Sequence, residues 1–338
     1  MDFGKIEKIL TDEPKFRKKQ VKQLVFCDLI ESWNEATTLP ESLRKMLNEK
    51  CPLEIKAQNI ISQDRTTIKA LITLKDGLKI ESVLMRHESR NTVCVSSQVG
   101  CPLDCVFCAT GQMGFKRNLD KWEIVEQVLF FARYLKNLPS SQDGRITNIV
   151  FMGMGEPFLN YENVIGAIRI LNDKEGFNLG ARHFSISTVG ITEGIQKLAE
   201  EKLEVNLAIS LHAPNNGLRS KMMPVNKKYS IEKILSAVEE YIKETRRRVM
   251  FEYIMIKDIN DSDDCARELA ELAKRKLFFV NLIAYNPTGI YKRSAPSRIK
   301  KFRQILENEG VAVTQRWRFG QNIKAACGQL AARSLKSQ

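Results

Sequence analysis

The sequence has no long apolar run, and its first residues are not apolar either. No stretch approaches the roughly 20 apolar residues that a membrane-spanning helix needs, and residues 1–5 lack the apolar core of a secretory signal. The chain also has no low-complexity segment and no short repeat, which excludes a solenoid. We therefore expect a cytoplasmic protein that is not anchored in a membrane.

The size, hydrophobic content and charge of the chain indicate a globular protein with a polyanionic partner. With 338 residues, 43% of them hydrophobic, the chain has room for one large catalytic domain and one or two small ones. Lys and Arg number 53 against 40 Asp and Glu, a net charge of +13. This excess favours nucleic acid as the partner; the alternative is a basic protein without such a partner. The basic residues cluster at residues 15–22, 246–248, 274–276 and 300–303.

Three closely spaced cysteines are the strongest chemical signal. Cys101, Cys105 and Cys108 are separated by three and then two residues. Iron–sulfur clusters are held by cysteine thiolates, ordinarily four, so three ligands would leave one iron open to a cofactor or substrate. A zinc knuckle would need a fourth Cys or His at short spacing. The chain has only 3 His, and Cys94 is the one close candidate. The spacing favours a catalytic iron–sulfur cluster over zinc or a structural role.

Three regions follow one another along the chain. Residues 1–62 are predicted to form a small accessory domain of short helices, since apolar residues recur at helical spacing between residues 20 and 33. Residues 63–90 are predicted to form a β-hairpin extension, with strands at 67–74 and 79–85 around the turn Lys75-Asp76-Gly77. Residues 91–338 carry the chemical motifs and form the predicted core.

The core alternates between apolar strands and amphipathic helices, the pattern of parallel βα units. Six units predict an α/β fold, a partial (β/α)6 barrel, in which function lies at the carboxyl ends of the strands. The cysteine loop, residues 153–157, Ser187, residues 210–212 and Asn286 all fall at or just after strand ends. The predicted strands are 93–96, 146–152, 183–188, 205–211, 249–256 and 279–284. The predicted helices are 121–135, 161–171, 192–200, 231–244 and 261–275.

These motifs together resemble a known superfamily. The three-cysteine loop, Gly155-Glu156-Pro157 and the six βα units resemble the radical S-adenosylmethionine (radical SAM) superfamily. More narrowly, the chain from about residue 66 to 332 resembles the RNA adenine methyltransferases of the RlmN/Cfr type. The segments that carry this resemblance are 90–101, 151–157, 186–190, 210–212, 221–226 and 325–330.

The resemblance implies two cofactors. It implies a 4Fe-4S cluster on Cys101, Cys105 and Cys108, with an open iron that binds S-adenosylmethionine. Gly155 and Glu156 would meet the amino group of that molecule, where a carboxylate makes charge-assisted hydrogen bonds. Each turnover would consume two molecules of S-adenosylmethionine, one as methyl donor and one as radical source. Further cofactor contacts are implied for Ser187, Ser210, Leu211, His212 and Asn286.

The resemblance also implies a mechanism. Adenine C2 is electron-poor, so a radical route suits it better than direct attack on a methyl cation equivalent. Cys327 would accept a methyl group, lose hydrogen to the radical and join covalently to the base. Cys94 would attack the Cys327 sulfur, form a disulfide and release the product, while Glu81 would remove a proton as general base.

Each of these roles has a plainer alternative. Cys94 and Cys327 could be small buried residues, Glu81 the solvent face of an edge strand, and His212 a satisfied core histidine. We interpret the remaining cysteines, Cys27, Cys51 and Cys265, as structural.

The implied substrate is the peptidyl-transferase-centre adenine of 23S rRNA, and also the tRNA adenine next to the anticodon. A flavodoxin or ferredoxin is the implied electron donor, and we expect a monomer. Asn322 stands where the RlmN branch has an acid, and Phe319-Gly320 is closer to the Cfr branch, which methylates C8; Pro157 points back to RlmN. We favour C2, with C8 or another radical SAM reaction as the alternatives.

Overall fold

The amino-terminal region is helical and packs on the rest of the molecule. The computed structural model describes residues 3–138, 144–289, 291–317 and 319–332. The Phe3 ring stacks on Trp122, with centroids 4.4 Å apart, and the Arg133 guanidinium donates to the Leu53 carbonyl over 2.9 Å. The helices here are α1 (Phe3–Ile9), α2 (Lys15–Lys22) and α3 (Glu41–Lys50), with a π-turn at Gln23–Cys27 and a 3-10 turn at Trp33–Glu35.

The later helices agree closely with the predicted ones. Helix α4 begins where expected because Asp120 caps it and Glu123 closes a capping box. The structure adds two helices that the sequence interpretation missed, α7 and α10. The bounds are α4 (Lys121–Lys136), α5 (Tyr161–Asn172), α6 (Thr192–Glu200), α7 (Asn216–Met222), α8 (Ile231–Thr245), α9 (Asp263–Ala273) and α10 (Pro296–Asn308). No helix in the described part of the chain is both long and apolar enough to cross a membrane.

Twelve strands occur among the described residues, ten of them in one sheet. Strands β5 and β6 form a separate two-stranded hairpin that carries the cysteine loop. The bounds are β1 (Ala57–Ile61), β2 (Thr67–Thr73), β3 (Lys79–His87), β4 (Arg90–Cys94), β5 (Gln98–Gly100), β6 (Phe115–Asn118), β7 (Asn148–Phe151), β8 (Phe184–Thr188), β9 (Asn206–Ser210), β10 (Val249–Met255), β11 (Phe278–Ala284) and β12 (Val313–Gln315).

The parallel part of the sheet confirms the predicted α/β architecture. Strands β4, β7, β8, β9, β10 and β11 lie side by side in chain order, all parallel. A short seventh strand, β12, extends the row beyond β11. Among the described residues β4 and β12 are not paired, so the barrel is open. The carboxyl ends of the strands gather at one edge, where parallel barrels hold their sites.

An antiparallel extension joins the barrel through its first strand. Strands β2 and β3 form the predicted hairpin, and β3 pairs antiparallel with β4. The sequence interpretation placed residues 57–61 in the helical region, but they form the edge strand β1. The register sets Val83 opposite Cys94. Glu81, two residues before Val83, is thereby placed near the carboxyl end of β4, where the barrel opens.

Candidate active site

The cysteine loop is shaped by the hairpin from which it emerges. Gly100 ends β5 with φ +76°, and a Cβ there would overlap the carbonyl oxygen of Gly114. Only glycine lets the two ends of the loop approach so closely. The loop places Cys101, Cys105 and Cys108 on the wall of one open cavity.

The three thiols suit an electropositive metal centre. Burial raises the pKa of Cys101 to about 12 and that of Cys105 well above its ordinary range. A bound metal ion reverses this preference, because it stabilises a thiolate directly. Within the described residues, no three His, Cys, Asp or Glu side chains are arranged to hold a single ion. Cys94, the candidate fourth zinc ligand, lines a different cavity from the three cysteines. Three thiols around one cavity therefore fit an iron–sulfur cluster.

A buried carboxylate faces the same cavity. Gly155, with φ +98°, lies so close to the Gln98 side chain that a Cβ would collide with it. Glu156 accepts hydrogen bonds from the backbone N–H groups of Phe158 (3.1 Å) and Val189 (2.9 Å). Burial nevertheless raises the pKa of Glu156 to about 7. A ligand ammonium group would stabilise this carboxylate, which fits the amino group of S-adenosylmethionine.

The ends of β8, β9 and β10 bring a second polar group into the cavity. The Ser187 hydroxyl donates to Glu252 Oε2 over 2.6 Å, and Ser210 Oγ lies 3.1 Å from Ser187 Oγ. His212 Nδ1 accepts from the Ile254 N–H, and burial lowers the pKa of His212 to about 3. This imidazole is therefore neutral at physiological pH.

The segment that carries Cys327 is fastened to the cysteine loop. The Ala109 N–H donates to the Gly328 carbonyl over 2.8 Å, and the Thr110 hydroxyl donates to the Leu330 carbonyl over 2.7 Å. Cys327 lines the cavity of the three cysteines. The segment is irregular, so these anchors, and not a helix or strand, fix the position of the sulfur.

A second cavity lies on the other side of Cys327. Cys94, Asn286, Arg316 and Cys327 all line it, so the Cys327 side chain belongs to both cavities. Burial, and to a smaller extent Cys327, raises the pKa of Cys94 to about 12, although Arg316 opposes the rise. The family resemblance paired Cys94 with Cys327, and both residues line this cavity.

Two charged residues here were missed from the sequence. Arg316 Nη1 donates to Glu252 Oε1 over 3.1 Å, and its Nη2 reaches Met152 Sδ at 3.2 Å. An acid inside an apolar parallel strand, as Glu252 is in β10, is a site signal in itself. Arg316 follows a three-residue strand, and no periodic pattern marks it.

A third buried charge, Arg219 in α7, was also missed. It is fully buried and donates to five acceptors. These include the carbonyls of Val189 (2.6 Å), Leu211 (3.1 Å) and Tyr229 (3.0 Å). Burial lowers its pKa to about 10. Arg219 therefore ties together the turns after β8 and β9 that frame the cavity of the three cysteines.

Glu81 lies behind the Cys327 segment and lines neither cavity. Its Oε1 pairs with Lys69 Nζ at 3.0 Å, and its Oε2 accepts the Ala331 N–H over 2.9 Å. Lys69 Nζ also donates to the Lys324 carbonyl over 3.4 Å. Both carboxylate oxygens are thus engaged in holding the segment.

The remaining predicted cofactor residues are placed less uniformly. Leu211 is buried and does not line the cavity of the three cysteines; its N–H donates to the Glu252 carbonyl. Asn286 faces the second cavity, where its amide donates to the Cys327 carbonyl over 3.4 Å. Their predicted contacts with S-adenosylmethionine stay predictions. Gly155, Glu156, Ser187, Ser210 and His212 line the cavity of the three cysteines.

The other singled-out positions lie outside the two cavities. Asn322 is exposed in a 3-10 turn. The Cys27 thiol donates to the Gly176 carbonyl over 3.2 Å, as a structural residue would. Cys51 is buried and Cys265 is half-buried in α9.

Comparison with known proteins agrees with this arrangement. Residues 95–273 match the model of the Radical SAM superfamily. Over its whole length the chain is 46% identical to the "Probable dual-specificity RNA methyltransferase RlmN" of Dictyoglomus thermophilum, covering 97% of that protein. It is 44% identical to the "Ribosomal RNA large subunit methyltransferase N" of Nitrosopumilus maritimus, over 96% of this chain and 95% of that one. A crystal structure of a radical SAM methyltransferase from Sphaerobacter thermophilus superimposes with a TM-score of 0.93 and 43% identity, covering 98% of both chains.

Proposed function

The chain belongs to the RlmN family of radical SAM RNA methyltransferases, and on that premise we propose that it methylates C2 of adenine in 23S rRNA and in tRNA next to the anticodon. The observation that carries the proposal is that Cys327 lines two cavities. One holds the three cysteines, and the other holds Cys94. A carbon carried on the Cys327 sulfur can therefore meet the cofactor on one side and the base on the other.

The cavity of the three cysteines is the cofactor side. Cys101, Cys105 and Cys108 would hold a 4Fe-4S cluster here, and S-adenosylmethionine bound beside it would supply both the methyl group and the radical chemistry. The Glu156 carboxylate is buried on the cavity wall. We assign it to the ammonium group of S-adenosylmethionine, with which it can form charge-assisted hydrogen bonds.

Ser187 and Ser210 act with Glu252 on the same side. Both hydroxyls lie within hydrogen-bonding distance of its Oε2. We assign them to positioning the cofactor, together with the neutral His212.

Cys327 and Cys94, which lie outside the cysteine loop, carry and release the transferred carbon. Cys327 accepts the methyl group as a thiolate, and the Arg316 guanidinium lowers its pKa against the effect of burial. Once that carbon is bonded to the base, the Cys94 thiolate attacks the Cys327 sulfur; the new S–S bond replaces the S–C bond, and the carbon keeps the electron pair of the broken bond and takes up a proton to become the methyl group of the base. A reductant of the flavodoxin or ferredoxin class returns the disulfide to two thiols.

Glu81 is proposed as the general base that removes the proton from the base adduct. Its hydrogen bond to the Ala331 N–H joins it to the Cys327 segment. Because Glu81 lines neither cavity, the Cys327 segment must shift before the carboxylate can reach a base there. The proposed proton transfer is therefore coupled to movement of the segment.

The accessory region offers a surface for the rest of the RNA. Helix α2 exposes Lys15, Lys18 and Lys19, and phosphate contacts of this kind position a nucleic acid without reading its sequence. We propose that residues 1–62 bind the RNA body while the barrel acts on one base. We further propose that the protein acts as a cytoplasmic monomer.

The proposal is tested by one reaction. The cluster is reconstituted anaerobically, and reductant, methyl-labelled S-adenosylmethionine and 23S rRNA or tRNA fragments are added; the digested RNA is analysed by mass spectrometry. Label on adenine C2 supports the proposal, and label on C8 assigns the Cfr-type reaction. Unlabelled RNA with free 5′-deoxyadenosine would indicate a different radical SAM reaction. Cys327→Ala serves as control, since it keeps the three cluster cysteines and removes the carrier.

A further inference from the structure

Three aromatic rings form a cluster at the rim of the Cys94 cavity. The Trp317 indole lies 5.0 Å from the His87 ring, and the Phe319 ring meets His87 edge-on at 5.8 Å. Trp317 and Phe319 both line the cavity. His87 ends β3, so the extension supplies one ring and the segment after β12 supplies the other two.

The exposure of Trp317 is unusual for a large apolar side chain. The indole is 72% exposed, more than any other large hydrophobic side chain of the described residues. Trp33, in contrast, is fully buried and donates its indole N–H to the Cys51 carbonyl. An indole left mostly in water gains little from burial, so core packing does not account for its position. Its flat face is available to a partner.

The charge around the rim suits a polyanion. Arg65, Arg90 and Lys324 are exposed basic residues near these rings, with Arg90 paired to His87 across the β3–β4 turn, and they outnumber the exposed acids Asp64 and Glu88. The loop of Arg65 is joined to β3 by a hydrogen bond from the Arg86 N–H to the Thr66 carbonyl. An aromatic face inside a basic rim is the arrangement with which proteins bind single-stranded nucleic acid, by stacking and phosphate contacts together.

One cavity connects the two reactive thiols with the aromatic rim. Cys94, which is buried, Cys327, which is half-buried, and the exposed Trp317 all line this cavity. Because Trp317 and Cys327 line the same cavity, we expect a base that reaches Cys327 to leave its neighbour in the strand near Trp317. Taking a base out of its stack costs a few kcal/mol, and stacking its neighbour on the protein offsets this cost.

We propose that Trp317, backed by His87 and Phe319, is a stacking platform for the unpaired nucleobase adjoining the target adenine. The inference rests on the proposed RNA substrate and names the side chain that reads its conformation. The occupant is a base of RNA, since the rim combines an open π-face with basic neighbours and leads to the two reactive thiols.

The test compares three substitutions of Trp317. Trp317→Ala and Trp317→Leu remove the π-face, and Trp317→Phe keeps one. We expect Ala and Leu to raise the KM for a loop RNA by about five- to 150-fold, the range found when stacked aromatics are replaced by alanine. Phe should stay within about threefold of the native chain, and kcat at saturating RNA should change little. Ile259→Ala, at a 38% exposed site away from the cavity, should leave KM unchanged.

A coupled measurement separates stacking from a general loss of structure. The RNA is made with an abasic site or with 2-aminopurine at the adjoining position. The abasic site should weaken binding to the native chain but not weaken binding to Trp317→Ala further, and 2-aminopurine fluorescence should be quenched only when residue 317 is aromatic. Equal abasic penalties in both proteins, or a native-like KM for both Ala and Leu, would overturn the inference.

The design also distinguishes this inference from the proposed function. Methylation of Cys327 without RNA and label on RNA from the native chain report on the proposed function alone. A native chain that labels RNA while the Trp317 variants bind it normally would refute only the platform. A native chain that leaves RNA unlabelled but shows the coupled 2-aminopurine quenching would refute only the methylation.

Discussion

Arg316 and Glu252 form a partly buried ion pair, with Nη1 and Oε1 3.1 Å apart, on the boundary between the two cavities. The Arg316 guanidinium lines the Cys94 cavity, and the Glu252 carboxylate lines the cavity of the three cysteines. Each partner acts on Cys327, since Arg316 lowers the pKa of the thiol and Glu252 raises it. The pair therefore sets how readily Cys327 becomes a nucleophile.

Arg316→Gln should slow the reaction of Cys327. Without the cation the thiol pKa rises, and each unit of that rise lowers the thiolate fraction about tenfold. We expect methyl incorporation on Cys327, measured without RNA, to fall by about tenfold at pH 7.5, with Arg316→Lys in between. Glu252→Gln is the matched variant, because it removes the opposing charge and should not slow alkylation of Cys327 by iodoacetamide. Unchanged alkylation in Arg316→Gln would contradict the assignment.

Cys94→Ala should trap the enzyme on its substrate. If Cys94 releases the product, the variant forms the bond between Cys327 and the base but cannot break it. A protein–RNA species that survives denaturing electrophoresis should accumulate to about one per active chain. Cys51→Ala, at a buried cysteine outside both cavities, should turn over without such a species. Continued turnover in Cys94→Ala, with no adduct, would remove Cys94 from the mechanism.

Glu81→Gln and Lys69→Met separate the two roles open to Glu81. Both substitutions break the 3.0 Å pair, but Gln also removes the base while Lys69→Met leaves a carboxylate. If Glu81 is the general base, only Glu81→Gln should stop product formation and leave a base adduct. If it serves only to hold the segment, both variants should lower Cys327 methylation to a similar extent. Quantifying adduct and methyl-cysteine in each variant decides between these outcomes.

Glu156 should leave a signature in the pH dependence of stability before cofactor binds. Its folded pKa of about 7 exceeds the ordinary 4.5, so between these values the folded chain holds a proton that the unfolded chain has lost. Stability therefore falls as pH rises through this window, by about 3 kcal/mol. His212, with its pKa lowered to about 3, acts in the opposite direction up to about pH 6.5.

Comparing the native chain with Glu156→Gln isolates the contribution of the Glu156 carboxylate to the pH dependence of stability, since both proteins contain His212. Urea unfolding at pH 4.5 and at pH 7.5 should show the variant gaining about 3 kcal/mol relative to the native chain at the higher pH. A difference that does not change with pH would show that folding does not raise the pKa of Glu156.

Arg219→Met should destabilise the folded chain strongly. The substitution leaves buried carbonyl acceptors, including those of Val189 and Leu211, without their donor. Loss of a buried charged donor of this kind costs about 3–5 kcal/mol, measurable as a lower urea midpoint at unchanged m-value. Arg182→Met, which removes an exposed pair with Glu204, should leave the midpoint where it was. Equal midpoints for both variants would contradict the role given to Arg219.

The alternation of strands and helices was predictable because parallel strands buried on both faces are continuous apolar runs. All six predicted barrel strands are present, within a few residues of their expected bounds. Strand β1 was missed because it is a sheet edge with no alternation of buried and exposed residues. Helix α10 was missed too, although Pro296 at its first turn is a usual start signal.

The site residues likewise fall into those that the sequence could predict and those that only the folded structure shows. The cysteine loop could be recognised because its three cysteines are close in sequence, whereas the roles of Cys94 and Cys327 came from the resemblance. The engagement of Glu81 with Lys69 and the Ala331 N–H depends on contacts between distant parts of the chain. No local pattern encodes such contacts, so only the folded structure reveals them.

Cys327 lines both cavities, and this arrangement affects how enzymes of this fold can acquire new RNA substrates. The barrel and the cysteine loop build the cofactor side, whereas β3, its turn and the segment around Trp317 build much of the rim on the other side. Exchanging a few rim residues could redirect the enzyme to another nucleotide context without disturbing radical generation. Grafting the rim of one relative onto the barrel of another is therefore a feasible route to RNA modification at new sites.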